Sequence, residues 1–238
     1  MFSLELMLIV FIAGFTQAIL GFGFGLIFVS LGALFFSAKE VIPLSFFMGL
    51  FMDLFLVFNT YRYRPNKKIF DLVLMGIIGA PIGVFMFYII NPEVFEPILG
   101  AFLIFAIIIL FLNKVTIPHT RFARIFAGFF TGVVGALLGV SGPFISIFLL
   151  SDRTLSRQQN IFVMNLYFIG ITFVAFMVYV LSGAYRDLGV MNGVMLLSAT
   201  AMGAITGLLI GQRLPKRWYR YCVYGMILVS AVFLIIPK

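Results

Sequence analysis

Charge is what this sequence has least of. Asp, Glu, Lys and Arg make up 10% of its 238 residues, and positions 6 to 38 contain none. A soluble domain of this size would have almost nothing polar with which to cover its surface, so the bilayer is its solvent. Cysteine and histidine are nearly missing too, with one of each, Cys222 and His119. A lone cysteine excludes an intrachain disulfide. Without a His/Cys/Glu cluster or a serine–histidine pair in apolar surroundings, the chain argues against an intramembrane enzyme, and no metal or cofactor is expected. Cys222 reads as a small apolar residue near the start of a helix. Met1 to Leu8 carries no Lys or Arg. A cleavable signal starts with basic residues, so the first apolar segment is expected to stay in the mature protein.

Apolar residues are plentiful instead: 63% of the chain, with a mean hydropathy of +1.19. The length predicts one transmembrane domain over 1–238 with no extramembrane module larger than a loop. Eight apolar runs lie between polar loops, at about 6–36, 42–61, 70–90, 95–112, 122–150, 158–183, 188–211 and 218–236. The net charge of +8 sits in those loops and calls for anionic lipid and the cytoplasm, not nucleic acid. Basic loops follow the second run (Arg62, Arg64, Lys67, Lys68), the fourth (Lys114, Arg121, Arg124) and the seventh (Arg213, Lys216, Arg217, Arg220). The loop after the third run, Asn91 to Glu96, is acidic.

Eight simple crossings would put the loops after the second and seventh runs on opposite sides of the membrane. The charge rule asks for the same side. The conflict disappears if the first and fifth runs are re-entrant hairpins. The predicted fold is then an all-α polytopic membrane protein with two inverted repeats, about 4–112 and 121–237, each a broken hairpin plus three transmembrane helices. Tilted full-length helices in the first and fifth runs are the alternative. They would leave one strongly basic loop outside.

Both long runs carry a glycine-rich interruption. Leu20-Gly21-Phe22-Gly23-Phe24-Gly25 breaks the first, and about 118 positions later Leu138-Gly139-Val140-Ser141-Gly142-Pro143 breaks the fifth. Gly79-Ala80-Pro81-Ile82-Gly83 of the third run is echoed by Gly203-Ala204-Ile205-Thr206-Gly207 of the seventh. Ordered similarity at several points is the mark of an internal repeat. The spacings of Gly128 with Gly132 and Gly207 with Gly211 are read as close helix packing in lipid. The two breaks, the Gly-Ala-Pro-Ile-Gly stretch, Arg157 before the sixth run and the basic turn before the last together resemble the TauE/SafE family of sulfite and organosulfonate exporters. The resemblance spans nearly the whole chain. Where members commonly carry three consecutive glycines, this sequence has Gly23-Phe24-Gly25 and Ser141-Gly142-Pro143. The resemblance implies movement of a small sulfur-containing or carboxylate anion, driven by an ion gradient and without a cofactor.

A small anion crossing lipid must exchange its hydration shell for hydrogen-bond donors, yet no Lys or Arg lies inside an apolar run. Backbone is left to supply them. Breaks at Gly21 to Gly25 and at Ser141 to Pro143 expose the N–H groups of half-helices starting near Phe24 and Gly142, two positive dipole ends that form an anion cradle. Gly21, Gly23 and Gly25 let backbone approach the ligand, and Pro143 fits a first helical turn. Thr16, Gln17 and Ser141 are candidate side-chain donors, Ser141 equally a cap. Asp53 is the ionisable residue well inside an apolar run, where a buried charge is expensive. It is the candidate proton-coupling residue, or else a packing residue bonded to Asn165 or Asn160. Asn165 is a substrate-site candidate, with Asn160 and Asn59 behind it. Trp218, Tyr219 and Tyr221 read as an interfacial anchor. The expected function is a proton-coupled secondary transporter of a small anion in the plasma (inner) membrane. A passive anion channel, which needs no titratable group, is the alternative.

Overall fold

Two serines open helices that stand 119 positions apart in the chain. Glu40 accepts from the backbone N–H of Ser37 (3.1 Å) and from its hydroxyl (2.9 Å). In the same way Gln159 accepts from the N–H of Ser156 (2.9 Å), and the Ser156 hydroxyl accepts from Gln159 N–H (3.3 Å). Both are capping boxes at the start of long apolar helices. Among the residues described by this computed structural model, 4–65, 69–112, 120–150, 155–186 and 188–210 with Leu228, Ala231 and Val232, the regular structure is helical. The helices are α1 (Leu4–Leu20), α2 (Phe24–Gly32), α3 (Ala38–Thr60), α4 (Phe70–Ile89), α5 (Pro92–Leu112), α6 (Arg121–Leu138), α7 (Gly142–Leu150), α8 (Arg157–Leu181) and α9 (Val190–Ile210), with one 3-10 turn at Tyr61–Tyr63. Five segments are long and apolar enough to cross a bilayer: Ala38–Tyr63, Phe70–Ile89, Arg121–Leu138, Gln158–Leu181 and Val190–Ile210. Phe58, Phe85, Phe126 and Leu209 point outward, as expected of side chains solvated by lipid.

Glycine contacts fix the direction of each helix. Gly14 of α1 lies against Thr200 and Ala204, Gly203 against Phe11, and Gly207 against Phe15 and Ala18, so α1 and α9 run parallel. On the opposite flank Gly128 of α6 lies against Leu72, Gly132 against Gly76, and Gly83 against Val133 and Leu137, so α4 and α6 are parallel too. The Gly79 and Gly203 stretches that echo each other in sequence thus do the same work, letting backbones meet where lipid gives no hydrophobic drive. Tyr61 with Phe162 and Phe46 with Tyr179 set α3 antiparallel to α8. Gly76 with Tyr167, and Tyr88 with Ser182, set α4 parallel to α8.

These registers decide how the broken segments run. Since α6 and α8 both start level with the beginning of α4, the intervening α7 travels back toward the end where α6 began. The starts of α1, α3 and α9 and the ends of α4 and α8 gather around a cavity of about 550 Å³ at the other end, lined by Leu6, Lys39, Glu40, Tyr88, Ser182 and Asn192 among others. There α2 returns to the level where α1 began. Arg121 and Arg124 reach Asp71 at 3.5 and 3.6 Å at the end opposite that cavity. The expected acidic loop is shorter than the sequence implies, since Glu93 and Glu96 already belong to the first turns of α5. The eighth run, with Trp218, Tyr219, Tyr221 and Cys222, lies outside the described residues except for Leu228, Ala231 and Val232. So do Lys67, Lys68, Lys114, His119, Gly211, Arg213, Lys216, Arg217 and Arg220.

Candidate functional site

The two breaks touch. Gly23 has φ 111°, ending the first break in a conformation that an L side chain rarely adopts, and Gly139 opens the second with φ 70°. A Cβ on Gly25 would run into the carbonyl oxygen of Gly139, and one on Gly142 would stand 3.0 Å from the Phe22 ring. Each break therefore packs on the other through backbone. At the start of α2, Phe24 N–H donates to the side-chain oxygen of Gln17 at 3.1 Å. The first intrahelical bond runs from Ile27 N–H to Gly23 (3.0 Å), leaving the N–H groups of Gly25 and Leu26 outside the helical ladder.

Asp53 comes to this junction from the middle of α3 and is 3% exposed. Its Oδ1 accepts from Gln17 Nε2 at 2.7 Å and its Oδ2 from the Thr172 hydroxyl at 3.1 Å. Gln17 Nε2 also donates to Asn165 Oδ1 (3.0 Å), and Asn165 Nδ2 donates to the carbonyls of Gly21 (3.0 Å) and Ile161 (2.7 Å). Four buried polar side chains from α1, α3 and α8 thus form one network against the first break. Beside it opens a cavity of about 50 Å³, lined by Gln17, Gly23, Phe24, Gly25, Leu26, Ser45, Phe46, Gly49, Asp53, Gly139, Ser141, Phe168 and Thr172. At about 15 Å³ per water, that is room for about three water-sized groups. The scale suits an anion of a few heavy atoms.

Of the residues picked from sequence, Gln17, Gly23, Phe24, Gly25, Ser141 and Asp53 line this cavity. Gly21, Gly142 and Asn165 are not in its lining: Gly21 lies against Ile161, Gly142 against Phe22, and Asn165 is bonded to Gln17, while Pro143 takes the first turn of α7. Gln17, expected as a donor to substrate, accepts from Phe24 N–H and donates to Asp53 and Asn165. The Thr16 hydroxyl donates to Ile12 within its own helix (2.7 Å) and its methyl lies under Gly23. The alternative packing reading pairs Asp53 with Asn165 or Asn160, but Asn165 reaches it only through Gln17, and the side-chain oxygen of Asn160 is buried with no partner among the described residues. Asn59 is exposed and bonds Phe55 at 2.8 Å, away from the site.

Thr172, Ser45 and Phe168 escaped the sequence reading. For Thr172 a signal existed: it follows Asp53 by 119 positions, the same offset that separates the two capping serines Ser37 and Ser156.

No curated protein and no solved structure matches the chain. A family model does, over residues 6–234, a span that takes in both breaks, Asp53 and every residue lining the cavity. By that match the chain belongs to the sulfite exporter TauE/SafE family.

Proposed function

We propose that this protein is a secondary active transporter that moves a small anion, sulfite, an organosulfonate or a similar sulfur-containing or carboxylate anion, with a proton across the plasma (inner) membrane. It is an integral, multi-pass membrane protein of a transport family. The observation that carries the reading is the meeting of two helix breaks at one small cavity beside a buried carboxylate. Backbone N–H groups there serve a negative charge without a fixed side-chain cation. When the site is empty, the negative charge beside this cradle is that of Asp53, held by Gln17 and Thr172. A proton on Asp53 removes that charge and lets an external anion take its place, which links one proton to one anion.

On this reading the chain is a single domain of eight membrane segments in two inverted repeats, 4–112 and 121–237. The broken segments α1–α2 and α6–α7 are hairpins entering from opposite faces. Support comes from the matching capping boxes, the two parallel glycine seams and the antiparallel pairing of α3 with α8, its counterpart. Arg62 and Arg64 stand at the same end as Arg121 and Arg124, which becomes the cytoplasmic face.

The test is flux in proteoliposomes with a panel of sulfite, small sulfonates and small carboxylates. Saturable uptake accelerated by an imposed pH gradient is expected. Flux that does not saturate and ignores the gradient would mean a channel, and no flux of any panel member would remove the anion reading.

A further inference from the structure

One primary amide stands between the carboxylate and the first break. Gln17 has its oxygen on Phe24 N–H (3.1 Å) and its nitrogen on Asp53 Oδ1 (2.7 Å) and Asn165 Oδ1 (3.0 Å). Its neighbours fix which way it points. Phe24 N–H can only donate. Asn165 spends its nitrogen on the carbonyls of Gly21 and Ile161, which turns its oxygen toward Gln17. This arrangement fits an ionised Asp53, an acceptor at both oxygens that receives Gln17 on one and Thr172 on the other.

A proton on Asp53 Oδ1 upsets it, because two donors then face each other. The terminal torsion of a glutamine is soft and roughly two-fold, and half a turn exchanges oxygen and nitrogen. Oε1 then accepts from the protonated Asp53, while Nε2 swings toward Phe24 N–H. There two donors point into one space, and only an acceptor from outside satisfies both. We infer that Gln17 is the positioning residue that ties a proton on Asp53 to an anion at the first break: the amide orientation that receives the proton is complete only when an anion oxygen lies between Gln17 Nε2 and Phe24 N–H. The inference rests on the proton-coupled reading above.

The coupling follows from hydrogen-bond accounting. A proton without an anion leaves two buried donors unpaired, and an anion without a proton meets both the Gln17 oxygen and the Asp53 charge. Together they leave neither conflict. Asn165, whose oxygen loses its Gln17 donor in the turned state, holds the empty site in the first orientation. No other charged or titratable side chain faces Asp53 among the described residues: α1 presents Gln17, α2 Phe24, α8 Thr172 and Phe168, and the second break Gly139 and Ser141. The proton comes from the acidic compartment and leaves to the other, so no further reactant is needed.

The experiment uses the full chain in proteoliposomes with radiolabelled methanesulfonate, which has no titratable proton of its own near neutrality. The parent is expected to accumulate it under an inward proton gradient, and Asp53→Asn to lose that response. Failure at this step overturns the proton-coupled reading itself. Given that response, Gln17→Met, which keeps the length and removes both polar atoms, is expected to abolish the gradient's effect, with any residual exchange equally fast in acidic and alkaline buffer. Full gradient-driven accumulation in Gln17→Met, with the parent and Asp53→Asn behaving as stated, overturns the relay alone. Where Gln17→Met does not yield folded protein, Asn165→Val removes the group that holds the empty orientation, and uptake is expected to persist about half to one pH unit further into alkali. An unchanged or acid-shifted profile overturns the relay. So does coupling that survives Gln17→Met but is lost in Thr172→Val, which would put the proton on Oδ2.

Discussion

Asp53→Asn removes one titratable group and little else. The asparagine oxygen keeps the 2.7 Å bond from Gln17, and its new N–H group faces the Thr172 hydroxyl, which accepts as readily as it donates. Two charge-assisted bonds become neutral ones. At about 2 kcal/mol for the former and about 1 kcal/mol for the latter, folding loses roughly 1–2 kcal/mol. Part of that returns because the variant buries no charge. The protein should therefore survive in detergent as a monodisperse species. Transport should change far more. With one proton per anion, each pH unit of gradient is worth about 1.4 kcal/mol, about tenfold in accumulation. A gradient of about two units then gives roughly hundredfold accumulation in the parent and a ratio of one in the variant. Steady-state methanesulfonate in proteoliposomes, corrected with protein-free vesicles, measures both. Gradient-driven accumulation by Asp53→Asn would refute the coupling role. Aggregation of the variant would return Asp53 to a packing role.

Gly25→Val should abolish uptake while the protein still reaches the membrane, because its Cβ would meet the Gly139 carbonyl and push the breaks apart; normal uptake in this variant would end the twin-break account. Gly132→Ala brings a Cβ within 2.5 Å of the Gly76 oxygen, so the α4–α6 seam must open at a cost of about 1–3 kcal/mol. A lowered melting temperature in detergent would register this, with Gly49→Ala, whose Cβ stays 3.8 Å from Thr172, as the unshifted comparison. In a Cys222→Ala background, a cysteine at Lys39 should label in intact cells with an impermeant thiol reagent and one at Arg62 should not. Labelling of both would contradict a shared cytoplasmic face for the basic loops.

The elements were legible because lipid makes burial simple to read. Runs bounded at 42–61 and 70–90 became α3 (Ala38–Thr60) and α4 (Phe70–Ile89), and the half-helices start at Phe24 and Gly142 as the glycines required. The site was legible only where a residue type is costly in lipid. Asp53 stood out by charge, Gly23 and Gly25 by freedom of backbone. Thr172 did not, since a threonine in a membrane helix ordinarily bonds its own backbone, and its partner came from the other end of the chain. Gln17 stood out as an amide in lipid, but its partners did not. An amide donates and accepts equally well, and it takes Phe24 N–H on one side and Asn165, held by the Gly21 and Ile161 carbonyls, on the other to decide which end faces Asp53. Where α5 begins was misjudged because Pro92 and the two glutamates look like a loop, although proline and acidic residues also suit a first helical turn.

The pairing of α1 with α9 also dictates an order of manufacture. Gly14 packs on Thr200, about 186 positions later in the chain. At roughly 5–20 residues per second on the ribosome, α1 waits roughly 10–40 s in the bilayer before its partner is made. During that interval its glycine face is open to any neighbour with a small-residue stripe, including α1 of another nascent chain. Substitutions along Gly203 to Gly207 should therefore injure the yield of newly made protein more than the durability of protein already assembled.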